Sequence, residues 1–215
     1  MFKKNIINRI IRTLIISDFF LLFAVGLLAP IFAVFILENI ENRIEVVGYA
    51  VSCFWITRLL LVIPISRLMD KIKGETDEYS FLIGGTFLIS LVPLLYIFSS
   101  EPWHVYLIQI LNGLAYSMAV PAWRIVFTNN VDRHIVGFEW SLEDVGIGIA
   151  TAASASIGAL IVGNYGFNVL FVMMFLFALI SALILSTLLK SKRSLIKKIF
   201  GNRANKAPIK IDGIK

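Results

Sequence analysis

Six long apolar runs, set apart by short charged breaks, constrain this chain more than any other feature. They cover about residues 14–37, 46–66, 80–98, 103–127, 142–163 and 167–189. At a rise of ~1.5 Å per residue each is long enough to cross a hydrocarbon core ~30 Å thick. A bilayer offers no water to an exposed backbone, so such runs must be helical. Residues 14–189 therefore read as an all-α membrane domain of six transmembrane helices. Composition agrees: 58% of residues are apolar, 16% are charged, and the mean hydropathy is +0.85, which excludes a water-soluble globule. Pro30, Pro64, Pro93 and Pro121 fall inside the runs and predict kinks that neighbouring helices accommodate.

The net charge of +6 is an orientation signal. Lys3, Lys4, Arg9 and Arg12 precede the first run, and Arg67, Lys71 and Lys73 follow the second. Arg124 and Arg133 follow the fourth, and nine more basic residues lie in the tail from Lys190. These eighteen fall on one side of a six-span topology, while the other side holds only Arg43, among Glu38, Glu41, Glu45 and Glu101. The positive-inside rule then puts both termini in the cytoplasm of a multi-pass cell-membrane protein. Basic residues so placed have the bilayer as their partner, and no nucleic acid is expected. Residues 1–13 carry Phe2, Ile6, Ile7, Ile10 and Ile11 on one helical face and basic residues on the other. They predict an amphipathic segment lying along the inner surface, not a cleavable signal. Residues 190–215 read as a basic cytoplasmic tail, too polar to pack beyond Gly201.

The stretch joining the second and third runs reads Ser66-Arg67-Leu68-Met69-Asp70-Lys71-Ile72-Lys73-Gly74. It resembles the loop signature of the major facilitator superfamily, with Ser66 where glycine is usual and Lys73-Gly74 in reversed order. In the fifth run, twelve of the nineteen residues from Val145 to Gly163 are Gly, Ala, Ser or Thr, a composition that lets helix backbones approach closely. Its end, through Gly158, Gly163 and Gly166, resembles the family's glycine-rich fifth helix and tight turn into the sixth. The resemblance implies a packing role for these three glycines and a gating role for Ser66, Arg67, Asp70, Lys71, Lys73 and Gly74. Gln109 stands where the family carries an arginine, so a proton-coupling role tied to that arginine does not carry over. The likeness covers one six-helix half of the fold, built of two inverted three-helix repeats. Spans one and four should then correspond, through Gly26 and Pro30 in one and Gly113 and Pro121 in the other.

Polar groups at membrane depth need a partner or water. Asp18 lies about 6 Å, and Arg58 about 12 Å, inward from the same side of the membrane. An ion pair between them is expected if their helices face each other. Gln109, Asn112, Tyr116 and Trp123 share an arc of ~60° on the fourth run and predict a face turned to a cavity or to another helix. Arg124 either pairs with Glu139, Glu143 or Asp144 across the inner end or sits with them at a solvated helix end.

Nothing in the chain reads as an enzyme. There is no nucleophile elbow, no HExxH and no Walker A loop, and His104 and His134 lack partners at ligand spacing. Cys53 is the sole cysteine, so no disulfide framework is expected, and neither a metal nor a cofactor site is read. The resemblance implies a secondary transporter of a small solute, with Asp18, Arg58, Gln109, Asn112, Tyr116 and Trp123 along its path. A homodimer, or a separate six-helix half, would complete the path. The alternative is a non-transporting membrane scaffold derived from a half-transporter.

Overall fold

A computed structural model describes the backbone of residues 7–71 and 77–204 and the side chains of 7–71 and 78–189. The first span comprises α1 (Arg9–Leu28), a 3-10 turn (Ala29–Ile31) and α2 (Phe32–Asn39). The others are single helices: α3 (Ile44–Lys71), α4 (Asp77–Ile97), α5 (Pro102–Asn130), α6 (Val136–Tyr165) and α7 (Phe167–Ala204). Six stretches are long and apolar enough to cross a membrane. Pro30 sits in the 3-10 turn, where its missing N–H and its ring interrupt the α-helical ladder. Pro64, Pro93 and Pro121 lie inside unbroken helices.

The helices outrun the apolar runs. The second span extends over Ile44–Lys71 where the run covers 46–66, because backbone hydrogen bonding continues after the side chains turn polar. At the N-terminus this overturns the surface-lying segment for its last five residues. Arg9–Thr13 are the first turns of α1, and the Ile10 N–H donates to the Asn8 side chain at 3.1 Å as the cap. Ile11 is fully buried, in a cluster with Leu14, Met69, Tyr79 and Phe127. The apolar face thus packs on the bundle, which excludes water better than a membrane surface does. Residues 1–6 and 205–215 lie outside the described residues.

Neighbouring helices follow the order α3, α5, α4, α7, α1, α6. Exchanging the first three spans for the last three reverses this order and reproduces it, as two inverted three-helix repeats require. The end members, α3 and α6, are the least buried, at 11% and 22% of their apolar windows, so the arrangement is open at both ends.

The glycines of spans one and four hold equivalent places in this arrangement. A Cβ on Gly113 of α5 would stand 2.7 Å from the Phe54 carbonyl of α3, and one on Gly26 of α1 would strike the Ser154 hydroxyl of α6. Close approach of backbones is what stabilises helix pairs in lipid, where burial brings no hydrophobic gain. The Gly26 collision involves one small side chain, so Gly26→Ala should be rescued by Ser154→Gly. Thermal unfolding in mixed micelles is expected to show the single variant destabilised by about 2 kcal/mol and the pair near wild type. A double variant no more stable than Gly26→Ala would rule out this contact.

Three buried clusters lie along the bundle. One, at the end away from the termini, gathers Leu27, Phe35, Ile36, Val46, Tyr96 and Phe171; another, at the termini-bearing end, gathers Ile11, Leu14, Met69, Tyr79, Phe127 and Leu188. Between them Ile89, Ala115 and Ala119 form a small central cluster. At the far end Phe35 packs its ring 5.0 Å from Phe171 and 5.6 Å from Tyr96, tying α2, α4 and α7 together.

Candidate functional site

Two cavities flank the central cluster. The one toward the termini-bearing end, of about 370 Å³, is lined by Asp18 and Ser17 of α1, Thr86 of α4, Trp123 and Arg124 of α5, Trp140 and Glu143 of α6 and Ser181 of α7. The other, of about 210 Å³, is lined by Ala29, Phe32, Pro93, Tyr96, Gln109, Asn112 and Met174. Ile89 and Tyr116 border both, so they form the partition.

The stripe on α5 thus lies along the cavity walls: Gln109 and Asn112 in the smaller chamber, Trp123 in the larger, Tyr116 between them. Several buried polar atoms on these walls have no protein partner. Asn112 Oδ1 is one in the smaller chamber; Thr86 Oγ1, Trp123 Nε1 and Ser181 Oγ are three in the larger. An unpaired buried polar group costs about 1–3 kcal/mol, so this set suits a guest that forms hydrogen bonds, whether water or solute. Thr86 and Ser181 are absent from the sequence expectations. Single hydroxyls in an apolar helix ordinarily bond their own backbone, as Ser90 and Ser186 do here to the carbonyls of Phe87 and Leu183. No pattern in the sequence separates the two kinds.

Charged residues are paired differently from the expectation. Asp18 meets Glu143 as a side-chain hydrogen-bond partner instead of Arg58. A hydrogen bond between two carboxyl groups requires a proton on one of them. The cause is helix placement: α1 packs on α6 and α7, whereas α3 packs on α5. Arg58 lies over two aromatic rings, its Cζ 5.1 Å from the centre of Trp55 and 5.8 Å from that of Tyr116. Arg124 forms no ion pair with Glu139, Glu143 or Asp144 among the described residues. Glu139 is instead fully buried, and its Oε2 accepts the Asp132 N–H at 2.8 Å, holding the connection between α5 and α6. Trp123 stacks on Phe127 at 4.7 Å and Trp140 packs tilted against Phe127 at 4.5 Å, and both tryptophans line the larger chamber.

Ser66, Arg67, Asp70 and Lys71 occupy the last turns of α3, not a loop, with Arg67 and Lys71 near the negative end of the helix dipole. Lys73 and Gly74 lie outside the described residues. Among the helix-five glycines, Gly158 packs against the Leu27 backbone of α1. A Cβ on Gly163 would meet nothing of this chain within 4 Å. Gly166 serves the turn between α6 and α7 through its positive φ of 79°, which glycine adopts without strain.

A family model described as Major Facilitator Superfamily matches residues 14–212. Among similar proteins are the multidrug resistance protein MdtG of Salmonella schwarzengrund and that of Enterobacter lignolyticus. The first is 26% identical over 170 residues, covering 76% of this chain and 40% of the relative; the second is 25% identical over 182 residues, covering 83% and 41%. The chain spans about two fifths of the length of the relatives it matches. Six membrane-spanning helices in two inverted repeats, matched by a family model over nearly their whole extent, place the chain in the major facilitator superfamily.

Proposed function

We propose that this chain forms one half of a secondary transporter in the cell membrane, with both termini cytoplasmic. Its solute path runs along α5 past Tyr116. One observation carries the reading: polar atoms of α4, α5 and α7 without protein partners line two cavities at membrane depth. Groups so placed are costly unless they serve a guest. The relatives carry the name multidrug resistance protein, so the solute proposed is a small organic molecule of that kind. The least buried helices, α3 and α6, offer apolar faces to a second six-helix unit, which in the simplest assembly is a second copy. Both units then sit parallel about a twofold axis along the membrane normal.

The test uses purified chain in proteoliposomes with a panel of fluorescent organic dyes. Saturable flux driven by an imposed ion gradient, reduced at least about tenfold by Asn112→Ala with Tyr116→Ala, is the expected result. Starting from Cys53→Ala, cysteines introduced at Asn112 or Tyr116 should crosslink two copies. In cells, cysteines placed at Glu101 and Asn130 should label from outside and inside respectively. Dye leak equal to protein-free vesicles, from a folded and crosslinkable dimer, would return the scaffold reading.

A further inference from the structure

We infer that Arg58 is a binding point for a single carboxylate group at the middle of the membrane. The inference rests on the transport reading and names the ligand chemistry of that same path. Arg58 stands halfway along α3, which runs from Ile44 to Lys71, so its Cα lies near the bilayer midplane. A charge at that depth requires a partner or water. Its two close neighbours, Trp55 and Tyr116, attract the cation through their ring faces but leave the in-plane N–H groups unbound. Among the described residues the ion pairs are those of Arg43 with Glu41 and Glu45, and no side-chain oxygen takes a hydrogen bond from Arg58. Asp18, the acid the charge pattern would offer it, lies on α1, which does not pack on α3, and meets Glu143 instead.

What this leaves is a guanidinium fork over two aromatic rings, one of them on the residue that partitions the two chambers. A planar fork of N–H donors matches a carboxylate bidentately, where an ammonium would offer only a point charge. One guanidinium in a low-dielectric setting balances one negative charge, which favours a carboxylate over a doubly charged phosphate. The flanking rings suit an apolar or aromatic body on the same molecule; Arg58 itself lines neither chamber and meets them through Tyr116, which borders both. The carboxylate has two sources of the same chemistry: a solute on the path, or an Asp or Glu side chain from the second six-helix unit.

Phenylglyoxal, which adds to accessible guanidinium groups, separates these sources when applied to the full chain in nanodiscs. Modification of Arg58 is read by digestion and mass spectrometry, with exposed Arg43 as the reference. If the solute is the source, benzoate slows modification of Arg58 saturably and neutral benzamide does not. Arg58→Gln then binds benzoate at least about tenfold more weakly without change in assembly mass. If the second unit is the source, Arg58 is protected in the assembled form without benzoate, and Arg58→Gln shifts the mass to the single unit. Arg58→Lys, which keeps the charge and loses the fork, carries the comparison if the glutamine variant does not fold, with weakened binding or assembly expected. Arg58 modified as fast as Arg43 in every form, with assembly and benzoate binding unchanged by substitution, would overturn the inference. Dye flux is a separate readout: protection without flux sinks the transport reading alone, and flux with Arg58 unprotected and dispensable sinks this one alone.

Discussion

Gly158→Ala is expected to lower stability by about 3 kcal/mol, and Gly158→Leu to prevent α1 and α6 from closing at all. The reason is the identity of the atom a side chain would meet. A Cβ at this position would strike the carbonyl of Leu27, and a backbone carbonyl inside a helix cannot rotate aside as a side chain can. The whole α6 axis would have to move, and with it Ser154 on Gly26 and Glu143 on Asp18, which lie along the same helix pair. Gly148→Ala is the control. A Cβ there meets nothing within 4 Å, so its replacement should leave stability unchanged or raise it by up to about 1 kcal/mol. Unfolding in mixed micelles followed by circular dichroism distinguishes the two. If Gly158→Ala unfolds together with wild type and Gly148→Ala, the close approach of α1 and α6 is wrong.

How far the fold is legible in the sequence depends on whether a feature lies within one helix or between two. The six spans are legible because hydrocarbon thickness and apolar run length are the same quantity in different units. Their ends are less so: apolarity marks the hydrocarbon, whereas α3 and α6 continue through polar residues such as Arg67 and Glu139. The α5 stripe is legible because Gln109, Asn112, Tyr116 and Trp123 share a single helical period, and the cavities lie along it. Pairings across helices are a different matter. Opposite charges at similar depth suggest Asp18 with Arg58, but helix order decides, and α1 has α6 as its neighbour. Like-charged partners such as Asp18 and Glu143 leave no mark in a pattern of charges, since the proton that joins them is invisible in the sequence. The small residues of α6 announce close packing without saying which of them touches α1. Gly158 does so, whereas Gly163 faces open space.

Asp18 and Glu143 should behave as one unit that tolerates amides and resists truncation. Each carboxyl serves as the other's hydrogen-bond partner across the α1–α6 contact, on the wall of the larger chamber. Replacing one by its amide, as Asp18→Asn or Glu143→Gln, supplies an N–H donor to the remaining carboxylate, so the contact persists without the shared proton. These variants are expected within about 1 kcal/mol of wild type. Glu143→Ala instead strands Asp18 at membrane depth and should cost about 2–3 kcal/mol. Asp18→Ala should cost a similar amount, and the double alanine variant less than the sum of the two, by roughly 1–3 kcal/mol of coupling. Exchanging Asp18 with Arg58 should not restore wild-type stability, because α1 and α3 are not neighbours and the exchange would leave an unpaired acid against the ring faces of Trp55 and Tyr116. The amide variants carry a second consequence. With the bond kept and the exchangeable proton gone, a folded Asp18→Asn protein should lose any response of dye flux to an imposed pH gradient while still binding the dye. Additive alanine effects would show that the two carboxyls do not meet, and an Asp18–Arg58 exchange that restores wild-type unfolding would show that the carboxyl of Asp18 faces α3.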